Sequence, residues 1–327
     1  MSFTKTVFLP VEPAEAFELI TQPERLRRWQ TVTARVDLHA GGEYRWTIVP
    51  GHHAAGTFTE VEPGRRLAFT WGWEGSEELP PGASNVSITL TPAEGGTSLT
   101  FVHEGLNAEQ AASHAEGWNH FLGRLVVLAE TGDAGLDEWA AAPAELNQLT
   151  GAEAGYAALT RVLAAVGPEA AGLRTPCEDF DVAALTDHLR RSIVGIGKAI
   201  GAALPEDDAD APAEVRIAAV VQPTLEAFGG RGLDGEIDMG FAVLPAALVG
   251  NILNLEFLVH AWDYATALGR TLEVSPELSE YVLGLAKDTI SDQVRAGGSF
   301  AEETVVDESA HALDRLVAFT GRVPAAS

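Results

Sequence analysis

The chain has 327 residues, room for two domains at about 150 residues each, and its 46% hydrophobic content lets each bury a core. Acids outnumber bases 47 to 21, a formal net charge of −26. The deficit runs through both halves, with 9 bases against 19 acids up to residue 140 and 12 against 28 after it, so no basic surface is expected that could displace counterions from nucleic acid or hold an anionic membrane.

The opening MSFTKTVFLPVEP has one Lys and an apolar run broken by Pro10, so Phe3–Leu9 reads as a strand rather than a signal peptide. Pro13–Ile20 and Pro23–Trp29 read as short helices, each with Pro in its first turn. Runs rich in β-branched and aromatic residues follow at Thr31–Leu38, Glu43–Val49, Gly56–Val61, Leu67–Trp73, Val86–Leu90 and Ser98–His103. Turn signals such as Ala40-Gly41-Gly42 and Glu94-Gly95-Gly96 separate them, and His52-His53 falls in a loop. This spacing predicts an antiparallel meander. Ala108–Thr131 then reads as one long amphipathic helix, and the order predicts a sheet curved around it with a cavity between.

Residues 132–145, with Gly132, Asp133, Gly135 and Pro143, read as a linker between a domain over 1–131 and another over 146–327. Beyond it Leu146–Val166, Val182–Ala203, Ala213–Phe228, Leu244–Leu268 and Pro276–Ala296 have helical period, and Ser309–Phe319 closes an all-α bundle of four or five helices. The fold class is therefore α+β. The single Cys177 excludes an intrachain disulfide and suits a reducing cytoplasm; a small packing residue is its simplest role. Met239–Leu255 carries no charge, but Pro245, Gly250, Asn251 and Asn254 interrupt it, and it is shorter than the roughly 20 apolar residues of a membrane span. It reads as a buried helix.

Five Trp precede the linker. Aromatics on strands read first as core, yet Trp29, Trp46, Trp71 and Trp118, with His103, are also the residues that would wall a ligand cavity. The stretches VFLPVEPAEAFELITQPERLRRWQ, GGEYRW, GTFTEVEPGRRLAFTW and LTFVHEGL, with HAEGWNHFLGRL after them, resemble the START-like (SRPBCC) helix-grip superfamily in its Aha-type branch, relatives of the heat-shock ATPase activator. The likeness covers about residues 3–131. It implies a hydrophobic cavity for a small ligand or a partner surface, and no shared catalytic residues.

In the bundle, Leu185, Leu189, Ile193 and Ile196 form an apolar stripe with His188 among them. Val249, Ile252 and Leu253 lead to Glu256 and His260 on the same face of their helix. A carboxylate inside a bundle must be paired, protonated or metal-bound. Two His and one Glu from facing helices form a ligand set with open positions, and Asp263, one turn beyond His260, is placed to orient that imidazole.

RTPCEDFDVAALTDHLRRSI, LNLEFLVHAWDYATALGR and HALDRLVAFTGRVP resemble the DinB-like superfamily, in the branch of mycothiol-dependent maleylpyruvate isomerase metal-binding domains, over about residues 146–323. The resemblance carries metal ligands onto His188, Glu256 and His260. It implies a divalent metal, most often zinc, that accepts mycothiol or another small thiol. The isomerases proper carry a further C-terminal domain after the bundle, and residues 324–327 are expected to be too few to form one. Three functions follow as expectations. One is a metal- and thiol-dependent transferase or isomerase acting on a small electrophile. The second is a non-catalytic protein that binds metal and a small hydrophobic ligand. The third is a chaperone-associated module.

Overall fold

A computed structural model describes residues 1–177, 180–298 and 300–324. The chain divides into two compact units, Met1–Asp137 and Glu138–Ser327.

The first unit runs Phe3–Leu9 (β1), Pro13–Leu19 (α1), Pro23–Trp29 (α2), Thr33–Val36 (β2), Glu43–Val49 (β3), His52–Glu62 (β4), Arg66–Trp71 (β5), Ser84–Ala93 (β6), Gly96–Glu104 (β7) and Ala108–Thr131 (α3). Its seven strands form one antiparallel sheet in the order β1-β7-β6-β5-β4-β3-β2, a meander with the first strand returned to the edge beside β7. β7 shows the alternation that sets the face: Leu99, Phe101 and His103 are buried and Thr100 and Val102 less so. The buried face packs on α3 through Trp118, Phe121, Leu122, Leu125 and Leu128. The helix starts at a capping box in which Asn107 and Gln110 satisfy one another's backbone N–H groups, and it ends at Gly132 with φ +83°. His52 and His53 lie on β4 rather than in a loop, because the turn is completed at Pro50-Gly51 and the strand pairs from His52 onward.

The second unit runs Glu138–Ala141 (α4), Gln148–Leu163 (α5), Val182–Ala199 (α6), Ala213–Arg231 (α7), Glu236–Asp238 (β8), Val243–Pro245 (β9), Ala246–Ala267 (α8), Pro276–Thr289 (α9), Asp292–Ala296 (α10) and Ala312–Phe319 (α11). It is not purely helical: β8 and β9 pair antiparallel, and α8 begins only at Ala246. The segment Met239–Leu255 is thus a turn, a three-residue strand and the first part of a helix. None of the described helices is long and apolar enough to cross a membrane. The helix expected over Pro276–Ala296 breaks at Ile290, and Ser291 caps α10 anew.

α8 is buried on nearly every side, and its apolar residues accordingly run all round it rather than along one face. α5 approaches it closely through Gly151 and Gly155; a Cβ at Gly151 would stand 2.5 Å from the Asn254 Oδ1 atom. α6, capped by Asp181 on the Ala184 N–H, lays Leu185, Leu189 and Ile193 into the same core.

The expected linker is not loose along its length. Arg124 of α3 donates to the carbonyls of Gly135 and Leu136 at 3.1 and 2.9 Å, and the His120 ring lies 3.0 Å from Asp137 Oδ1. Residues 138–141 are helical, with Ala140 and Ala141 buried.

Candidate metal centre

α6 and α8 bring His188, Glu256 and His260 together: one donor atom from each lies within 4.8 Å of the others. The His260 Nε2 and His188 Nε2 atoms stand 3.4 and 4.0 Å from Glu256 Oε2, and the two rings meet edge to face at 5.3 Å. Two ligands on one ion, with bonds of about 2.0–2.2 Å, sit roughly 3–3.5 Å apart, so the cluster is near that spacing. Ser192, one turn past His188 on α6, donates to Glu256 Oε1 at 2.6 Å. The other oxygen, Oε2, is buried and makes no hydrogen bond. A buried carboxylate oxygen left without a donor between two imidazoles is an arrangement a cation would complete.

The imidazoles differ. His260 turns Nδ1 to Asp263 Oδ2 at 2.8 Å, and that carboxylate is fully buried. The His188 side chain is 36% exposed and stacks on Phe180 at 5.0 Å, so the cluster is reached from solvent on its side. Burial opposes charge on all these groups. At His260 the two carboxylates beside it, Asp263 and Glu256, overcome it and hold the imidazole up at about 9. At Asp263 burial is overridden by His260 and Arg322, which hold the carboxyl at about 2. Burial keeps the His188 imidazole below its ordinary value, partly offset by Glu256, so its lone pair is available.

Three neighbours lie within the quoted motifs but were not singled out as site residues. Arg322 forks onto Asp263, with Nε 3.1 Å from Oδ1 and Nη2 2.8 Å from Oδ2. Ser192 reads as an ordinary helix residue. Cys177 is not an apolar packing residue: its Sγ lies 3.5 Å from Asp263 Oδ2 and accepts from Arg322 Nη2 at 3.1 Å. Burial, then the Asp263 charge, push this thiol up to about 12, which favours its protonated form.

In the first unit the aromatic residues pack as core. Between the sheet and α3 lies a void of about 10 Å³, the space of one water, lined by Trp29, Trp46 and Trp118 with apolar neighbours and Gln30. Trp71 and His103 do not line it. At this void the side chains of the sheet and α3 interleave closely. His103 accepts at Nδ1 from Trp118 and faces the Ser84 hydroxyl at Nε2, 2.8 Å away.

Residues 10–130 match the family described as Activator of Hsp90 ATPase homolog 1-like protein. Two uncharacterized proteins of Mycobacterium tuberculosis strains, Rv0738 and MT0763, are each 30% identical over 173 residues, covering 50% of this chain and 92% of their own length. That stretch is longer than the first unit. The solution structure of an AHSA1-like protein from Rhizobium etli is 41% identical, covers 45% of this chain and 92% of its own, and has a TM-score of 0.37. DynU16, a protein of the dynemicin biosynthetic locus, is 25% identical over 45% of this chain, which spans 57% of DynU16, with a TM-score of 0.39. The chain belongs to the family of the two mycobacterial proteins, and its residues 10–130 form an Activator of Hsp90 ATPase homolog 1-like domain.

Proposed function

We propose that the second unit is a DinB-like bundle in which His188, Glu256 and His260 hold one divalent ion, zinc in the first instance. In this reading the protein is a metal-dependent enzyme that brings a low-molecular-weight thiol, of the mycothiol type, to a small electrophile for transfer or isomerisation. The observation that carries the reading is the buried Glu256 Oε2, which lacks a hydrogen bond and faces two imidazoles at 3.4 and 4.0 Å. Three protein donors rather than four leave a position for exchange, as in catalytic rather than structural zinc sites.

When bound, the ion supplies Lewis acidity and favours the deprotonated form of a water or thiol. The protein's own groups prepare the donors. Asp263 holds the Nδ1 side of His260 and so turns Nε2 toward Glu256, where the imidazole would give up its Nε2 proton on coordinating an ion. Ser192 engages Oε1 and thereby turns Oε2 to the imidazoles. The exposed side of His188 is the way in for a small molecule. The first unit is not needed for this chemistry.

The test is metal analysis of the purified full chain beside its His188→Ala variant. The wild type should carry about one equivalent and the variant under a tenth of that, with the same far-ultraviolet circular dichroism. Thiol-dependent consumption of 1-chloro-2,4-dinitrobenzene should disappear on chelation and return with zinc. Equal metal in both proteins would overturn the ligand set. Metal without thiol chemistry would leave the non-catalytic metal-binding reading.

A further inference from the structure

Arg322 reaches the cluster by a route laid down at the end of α11. Helix α11 stops at Phe319 with Thr320 as its cap, and Gly321 takes φ +89°. The Gly321 N–H bonds the Ala318 carbonyl at 2.9 Å and the Arg322 N–H bonds the Val317 carbonyl at 2.9 Å. This is the paired 5→2 and 6→1 closure of a Schellman motif, and it places Arg322 at the second position past the cap, turned back along the helix. Gly321 is required twice over: besides its left-handed backbone, a Cβ there would lie 2.6 Å from that of Ala301.

The side chain so delivered is about 10% exposed and meets an Asp263 that is fully buried. Nε and Nη2 take one oxygen each, Nη1 donates to the Thr320 carbonyl at 3.2 Å, and Nη2 also reaches Cys177 Sγ. Asp263 Oδ2 is the atom that faces His260 Nδ1. A lone carboxylate on a helix can rotate; one gripped by a planar fork cannot, because both oxygens are fixed in one plane. The consequence passes to the imidazole, whose Nε2 is then held toward Glu256 and His188.

We propose that Arg322 is a positioning residue of the metal centre: by locking the Asp263 carboxylate it fixes the ring of His260 in the orientation that presents Nε2 to the ion. The inference rests on the metal-centre reading above and extends it to a residue at the far end of the chain. Arg322 touches no donor atom of the trio. Its hydrogen bonds reach the site through Asp263, its charge is also felt by His188 and Glu256, and Cys177 Sγ accepts from the same guanidinium.

The experiment uses the full chain and zinc, with affinity read by competition against a chromophoric chelator and cobalt(II) substitution for the coordination spectrum. Arg322→Gln should bind zinc about 10- to 100-fold more weakly, the range for removing a partner that orients a ligand, and its cobalt(II) bands should shift and broaden. Arg322→Lys, which restores charge without the fork, should recover part of the affinity but not the wild-type spectrum. Arg315→Gln breaks a different α11 ion pair, to Glu280, and controls for loosening of the helix; it should leave both readouts unchanged. If Arg322→Gln does not fold, the spectrum of Arg322→Lys decides, and a wild-type spectrum there overturns the proposal. Wild-type zinc affinity in Arg322→Gln, or an equal loss in Arg315→Gln, also overturns it. A wild-type chain that binds neither zinc nor cobalt overturns the metal reading itself, and this inference with it.

Discussion

Trp118 donates its indole N–H to His103 Nδ1 at 3.0 Å, inside the first unit. The ring proton must then sit on Nε2, where it donates to Ser84 Oγ at 2.8 Å, while the Ser84 hydroxyl donates to the Trp71 carbonyl at 3.1 Å. Each partner is committed, so the serine and histidine are no nucleophile–base pair. Burial, then the neighbouring His114, push His103 down to about 3.

That relationship makes the first unit sensitive to acid. Below about 6.5 the unfolded chain takes up a proton on this histidine that the folded chain refuses until about 3. The stability His103 contributes is complete above 6.5 and drains away as pH falls between those values, by up to about 1.4 kcal/mol per pH unit. Urea denaturation of the first unit at pH 7 and 4.5 should show a steeper acid loss in the wild type than in His103→Gln. Parallel losses would contradict the buried neutral ring.

Gly151 permits the close approach of α5 to α8. Alanine is the better helix former by about 1 kcal/mol, yet its methyl would meet the Asn254 side-chain oxygen and the Tyr281 ring at 2.5 and 2.9 Å. Gly151→Ala should therefore destabilise the second unit by about 1–3 kcal/mol, the usual cost of overpacking. Thermal unfolding would check the sign, and a more stable variant would mean that the helices move apart freely.

Cys177 should be unreactive despite partial exposure. With its thiol held near 12 against an ordinary 9, the thiolate fraction at pH 8 is lower by about 1000-fold, and alkylation follows the thiolate. Iodoacetamide should modify the folded chain far more slowly than the urea-unfolded chain. Similar rates would show that the Asp263–Arg322 environment is not maintained.

The Arg124 clamp relocates the site of proteolysis. Residues 134–136 give their carbonyls to Arg124, and Ala141 gives its own to the Ser275 hydroxyl at 2.9 Å. Limited proteolysis should first cut within 142–147, not within 132–137. Arg124→Ala should shift cleavage into the earlier segment, as mass spectrometry of the fragments would show.

What could be read from the sequence was local. The bounds of α3 follow from Asn107, Gln110 and Gly132, which act within a few residues of the helix ends. The meeting of Glu256 and His260 follows from helical period, and His188 joins them because its stripe faces the same core. Short pieces were missed: the three-residue strand Val243–Pro245 is too brief to show a period of two, so its apolar residues merged with the helix that follows.

Tertiary structure alone decided the rest. Arg322 lies 59 residues from Asp263 and 145 from Cys177 along the chain, and no periodicity links positions so far apart. Aromatic strands announced an interior in the first unit, but whether it holds a cavity depends on how ring shapes interleave. There the rings of Trp71 and Trp118 pack 5.0 Å apart, and the void beside Trp29, Trp46 and Trp118 has the space of about one water. Pattern specifies which side a residue faces; volume and distant partners are properties of the packed chain, because dense packing is settled by all the side chains at once.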